Sequence, residues 1–124
     1  MSNVLAKNYV AGVAIPAYTL VKFGSDDSTV VPAAAATDFV IGVTMDIAAA
    51  QGERVDVEVI GTAYVVAGAA AARGALVASD ASGRGVTAAP AAGVNNRIVG
   101  IFLEAPSAAG DVVRILLNQG SLQG

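Results

Sequence analysis

The chain is written twice. Tyr9-Val10-Ala11-Gly12, followed by Leu20-Val21, returns 56 positions later as Val65-Val66-Ala67-Gly68 and Leu76-Val77. Pro32-Ala33-Ala34 returns 58 positions later as Pro90-Ala91-Ala92, and Val40-Ile41-Gly42-Val43 returns at the same offset as Ile98-Val99-Gly100-Ile101. Ala50, Gly52, Val55, Val57 and Val59 meet Ala108, Gly110, Val113, Ile115 and Leu117. The change of offset falls in one turn, Gly24 to Asp27 against Ser79 to Gly83. A duplication constrains the fold before any local propensity does, and two copies are too few for a solenoid. The 124 residues suffice for one core. The sequence therefore predicts a single β domain over residues 9–124, built from pseudo-repeats 9–60 and 65–117. Residues 1–8 have no counterpart ahead of the second copy and are expected to form an N-terminal arm.

The predicted elements are short strands. Tyr9 to Val13 and Thr62 to Val66 open the two copies. Leu20 to Phe23 and Leu76 to Ala78 lead into turns at Asp26-Asp27-Ser28 and Asp80-Ala81-Ser82-Gly83, where Asp and Ser bond their own backbone and Gly accepts positive φ. Thr29 to Val31 and Gly85 to Thr87 return, and Pro32 and Pro90 end them. Phe39 to Thr44 and Arg97 to Leu103 are continuous apolar runs and read as buried strands. Arg54 to Ile60 alternates, with Val55, Val57 and Val59 on one face and Arg54, Asp56 and Glu58 on the other. In its copy, Asp111 to Leu117, Arg114 and Leu116 replace Asp56 and Glu58, which predicts a covered outer face there. The alanine runs are one turn long and bounded by Gly or Pro, too short for stable helices, with a helical turn expected at most over Asp46 to Gln51. The fold class is all-β: a small β-barrel, β-tulip-like body or sandwich with little helix.

The same composition narrows the chemistry. Without His or Cys, the usual general bases, thiolate nucleophiles and metal ligands are missing. Asp26-Asp27 lacks the ligand spacing of a calcium loop and reads as a hairpin tip. Asp56 and Glu58 sit about 7 Å apart on one strand face. A glycosidase pair instead flanks a sugar from two sides. Gly83-Arg84-Gly85 lacks the remainder of a phosphate loop and reads as a turn. No catalytic, cofactor-binding or metal site is predicted. The net charge of −3, with scattered Lys and Arg, argues against a nucleic-acid partner. The longest uncharged run contains Gly61 and Gly68 and falls short of the roughly 20 apolar residues of a membrane span. Tyr9, Tyr18 and Tyr64 cluster around the first strands of both copies and read as core or interface. Residues up to Ile60 carry seven acids and three bases, and the rest three acids and four bases, so the copies differ in charge as the faces of a head-to-tail assembly would.

Three features together resemble the capsid cement, or decoration, proteins of tailed bacteriophages. They are the start Met1-Ser2-Asn3 … Asn8-Tyr9-Val10-Ala11-Gly12, the Gly-x-x-Leu-Val hairpin at Gly74 to Val77 followed by Pro90-Ala91-Ala92, and the paired blocks at Ile41 to Val57 and Val99 to Ile115. The resemblance implies a β-barrel-like or β-tulip body without catalytic activity, commonly trimeric, with a dimer as the alternative. It implies a virion protein, made in the host bacterial cytoplasm, that docks on the capsid exterior between subunits of the major capsid protein and stabilises the head. It carries the capsid contact to the arm residues Ser2, Asn3, Val4, Leu5, Lys7 and Asn8, through β-augmentation in some members. The divergence between the copies marks Arg114 and Leu116, together with Tyr9 and Tyr64, for a subunit interface. The alternatives are a tail or head-fibre subunit and a carbohydrate-binding β module, which would need more exposed aromatics than this chain offers.

Overall fold

The structure, a computed structural model, describes residues 5–124. Its strands are β1 (Leu5–Ala11), β2 (Leu20–Phe23), β3 (Thr29–Pro32), β4 (Gly42–Thr44), β5 (Arg54–Val66), β6 (Leu76–Ser79), β7 (Gly85–Thr87), β8 (Asn95–Phe102) and β9 (Val112–Gln123). Among the described residues there is no helix, and Asp46 to Gln51 forms turns around the Ile15–Ala49 bridge instead of a helical turn. The chain is all-β.

The duplication is visible in the pairing. In the first unit β1, β3, β2, β4 and β5 pair in that order, and β5 returns to pair with β1, closing a five-stranded barrel. In the second unit the C-terminal half of β5 takes the place of β1. It pairs with β9, β9 with β8, β8 with β6 and β6 with β7. The parallel β1–β3 pairing that closes the first barrel shrinks to a single bridge, Ala67 to Gly85, in the second. Backbone bonds repeat as well. Ala11 N donates to Glu53 O and Gly52 N to Ala11 O, and their equivalents are Ala67 N to Asp111 O and Gly110 N to Ala67 O.

Two expected strands, 54–60 and 62–66, are therefore one strand. β5 runs 13 residues and serves as the last strand of the first unit and the first strand of the second. Gly61, at φ +99°, lies where β5 exchanges β1 for β9 as its partner. An L side chain there would be strained. The predicted alternation holds along its length: Val55, Val57, Ala63 and Val65 are buried, and Arg54, Asp56, Ile60 and Tyr64 are exposed.

One face of β5 feeds two cores. The first gathers Ala11, Ile15, Val21, Val30, Ile41, Val55 and Val57 inside the first barrel. The second gathers Val65, Val77, Val99, Phe102, Val113 and Ile115 of the second unit with Leu20, Ala33, Val40 and Val43 of the first. Partners across a sheet point to the same side. Val43 is paired with Leu20 and with Glu58, so Leu20 and Val43 point away from the first barrel and into the second unit. The junction is tight: a Cβ on Gly83, in the β6–β7 turn, would lie 2.8 Å from Thr19 Cγ2 and 2.9 Å from Leu20 O. Tyr18 crosses it at φ +56°, with its carbonyl accepting Val66 N.

Strand ends differ from expectation. β1 starts at Leu5, so Leu5 to Asn8 belong to the barrel and only residues 1–4 of the expected arm remain outside the described residues. β9 continues past Leu117 to Gln123, pairing with Asn95 to Ile98. The covered outer face expected for β9 is not found among the described residues. Val112, Arg114 and Leu116 are all exposed.

Candidate functional site

Among the described residues no group of three or more acids, His or Cys is placed to hold a metal ion. Asp56 accepts a 3.0 Å hydrogen bond from the Asn8 side chain across the β1–β5 pair. Burial, and then the charge of Asp46, push the Glu58 carboxyl up from its ordinary range. The two carboxylates share an outward face without converging on a cleft, as the strand spacing predicts. Asp26 at the β2–β3 tip accepts from Ser28 N, and Asp80 at the β6–β7 turn accepts from Ser82 N and Arg84 N. Both are turn-forming contacts.

The described surface offers apolar contact, at Met45 and Ile47 and on two broader surfaces. The first is the mouth of the first barrel, an open groove of about 370 Å³ lined by Leu5, Lys7, Tyr9, Phe23, Phe39 and Ile41, with Gln119 at its rim. Tyr9 packs edge-on against Phe23 at 6.1 Å between ring centroids, and the Arg97 guanidinium lies 5.3 Å over the Phe39 ring. Leu5, Phe23, Phe39 and Ile60 are exposed. The second is a row across the outer face of the second unit. Leu76 is paired with Ile101, Ile101 with Leu116 and Leu116 with Thr62, which puts four strands' side chains in one line. Tyr64 lies beside this row, paired with Arg114 and edge-on to Tyr18 at 6.0 Å. Glu104 holds Arg114 through its backbone N–H at 2.8 Å.

The residues marked for interfaces fall into separate groups. Arg114, Leu116 and Tyr64 come together on the second surface. Tyr9 does not join them; it lies in the barrel mouth, with Leu5 and Lys7. Asn8 points to the opposite, solvent side of β1, bonded to Asp56. Ser2, Asn3 and Val4 lie outside the described residues. Sequence reasoning missed Phe23 and Phe39 in the groove and Leu76 and Ile101 in the row. A signal was present for the first two: their equivalents in the second copy are Ser79 and Arg97, so the first copy alone carries aromatics there.

The described residues thus form an all-β body, a closed five-stranded barrel with a second β unit built onto it, and carry apolar contact surfaces. The chain belongs to the phage cement protein family, which matches residues 2–117. It is thus a phage virion structural protein, and its family implies association with the capsid. Among solved structures it is similar to the N base of the head fibre gp8.5 of bacteriophage phi29. That likeness has 18% identity and a TM-score of 0.68, and covers 98% of this chain and 99% of that one. At that identity it speaks for the fold alone. No curated protein matches the chain.

Proposed function

We propose that this protein binds the outer surface of the capsid between subunits of the major capsid protein and stabilises the head. The observation that carries this is the family match over nearly the whole chain. The physical form suits the task. A rigid body with two fused cores gives a stable shape, and many identical weak sites on a shell add to firm attachment through multivalency. The working unit is an oligomer, a homotrimer in the first instance. The N-terminal residues Ser2, Asn3 and Val4, together with the solvent-facing Asn8, meet the capsid. Purified protein mixed with undecorated shells is expected to pellet with them and to raise their disruption temperature. Protein that stays in the supernatant at saturating amounts refutes the proposal.

A second reading, a head-fibre subunit, is favoured by the likeness to the phi29 head-fibre base. Both readings put the protein on the head. They differ in whether the body lies flat between capsid subunits or roots a projection.

A further inference from the structure

The two apolar surfaces are the unused halves of a junction that the chain already makes once. Inside the chain, the outward row of the first unit, Leu20 and Val43 with Ala33 beside it, enters the mouth of the second unit and is lost from solvent, with 0% exposure at Leu20 and Val43. The equivalent row of the second unit is Leu76 and Ile101 with Ala88, whose N–H bonds Leu76 O as that of Ala33 bonds Leu20 O, and among the described residues it stays open: Leu76 is 38% exposed, and Leu116 next to it 37%. The mouth that receives the first row is lined by Val65, Val99 and Leu117. Their equivalents in the first barrel are Tyr9, Ile41 and Val59, which line the open groove. One unit thus has a bare row and the other a bare mouth.

We propose that copies of this chain associate head to tail, the Leu76–Ile101–Leu116 row of one copy entering the first-barrel mouth lined by Tyr9, Phe23 and Phe39 of the next. The contact is heterologous, so it leaves a free row and a free mouth at the ends until a ring closes. This rests on the reading that the protein works as an oligomer and supplies the faces. It also assigns Leu5 and Lys7 to self-contact rather than to the capsid. The docking is made by side chains, not by an added strand. In the internal junction Val66 N bonds Tyr18 O, but the equivalent Val10 N already donates to Ser28 O of its own barrel. Larger side chains compensate: aromatic rings line this mouth where Val65, Ser79 and Arg97 stand in the other copy.

The test uses two variants of the full chain. Leu116→Glu installs on the row the residue type that the first copy carries at Glu58. Phe39→Asp charges the mouth. Molar mass by light scattering is expected to show an oligomer for the unaltered protein. Each variant alone should be a folded monomer at the same concentration, with self-association weakened about a hundredfold by the buried charge. Mixed one to one, the variants are expected to form dimers and nothing larger, because each retains the half that the other has lost. Leu116→Gln and Phe39→Ser replace any charged variant whose strand signal in circular dichroism is reduced. A monomeric unaltered protein, an undiminished oligomer in either variant, or folded variants that stay monomeric when mixed overturns the proposal. Shell pelleting of the unaltered protein is scored separately. A monomer that still pellets sinks this contact and leaves the capsid reading standing, and an oligomer that does not pellet does the reverse.

Discussion

Gly42 and Gly100 are expected to be the least replaceable pair in the chain. They are equivalent residues of the two copies, and each faces an equivalent carbonyl on the neighbouring strand. A Cβ built on Gly42 would lie 2.1 Å from Glu58 O, and one on Gly100 1.7 Å from Leu116 O. An ordinary carbon–oxygen approach is about 3.3 Å. Alanine at either site must therefore push two paired strands apart by roughly 1.2–1.6 Å, enough to break the adjoining ladder bonds. Overpacking of this kind costs about 1–3 kcal/mol, and each lost bond adds about 1 kcal/mol. About 3 kcal/mol per site is the resulting figure. With an unfolding entropy of about 2.1 cal/mol/K per residue, that lowers the melting temperature by roughly 10 °C for a chain of this length. Thermal melts followed by circular dichroism on Gly42→Ala and Gly100→Ala measure it. Gly120→Ala is the control, because its nearest neighbour, Ile98 Cβ, is 4.0 Å away, and its melt should be unchanged. A Gly100→Ala protein melting with the control refutes the close approach, and with it the matched geometry of the two units.

Three further outcomes follow from named contacts. Thr44 is buried, its hydroxyl accepting Thr19 N at 2.9 Å and donating to Pro16 O at 3.0 Å; Thr44→Val should cost about 1–3 kcal/mol in urea unfolding, and no change would mean that the junction segment is not held there. The Asp38 carboxyl, although partial burial raises it, is held below its ordinary value by Ala34 N–H and by Lys22, whose Nζ is 3.0 Å away. The Thr29 side chain and Ser28 N–H lower Asp26, and Ser107 N–H lowers Asp111. Depressed acids contribute stability that is complete above the ordinary carboxylate range and lost as the pH falls through the depressed values. The protein should therefore hold its stability down to about pH 4 and weaken below it, with a shallower acid limb in Asp38→Asn; an unaltered limb in that variant contradicts the assignment. Glu58 has the opposite sign, being raised by burial and then by Asp46. Its charge weakens the fold above its folded value, so Glu58→Gln should stabilise the neutral protein by less than about 1 kcal/mol, and a lower melting temperature would contradict that.

Much of this fold was legible. The repeats fixed which strands are equivalent, the turn residues marked the hairpins, and the alternation in Arg54 to Ile60 gave the buried face of β5. The continuity of β5 was hidden because Gly61 reads as a break, whereas here it marks a change of partner inside one strand. The two surfaces were hidden for a different reason. Leu20 and Val43 match Leu76 and Ile101 almost residue for residue, yet one row is buried and the other bare. That difference comes from which unit has a neighbour, and no local pattern records it. Arg114 and Leu116 stood out in the sequence because they replace Asp56 and Glu58 of the first copy, and Tyr64 because the tyrosines cluster around the first strands. Tyr9 was grouped with them for the same clustering, but it lies in the mouth of the first barrel, since its side chain shares the inner face with Ala11.

The most direct test of the central claim is a cryo-electron microscopy difference map between shells incubated with the protein and bare shells. Added density is expected on the outer surface, over the boundaries between major capsid protein subunits. Density at the neck or tail, or no added density at saturating protein, would contradict it.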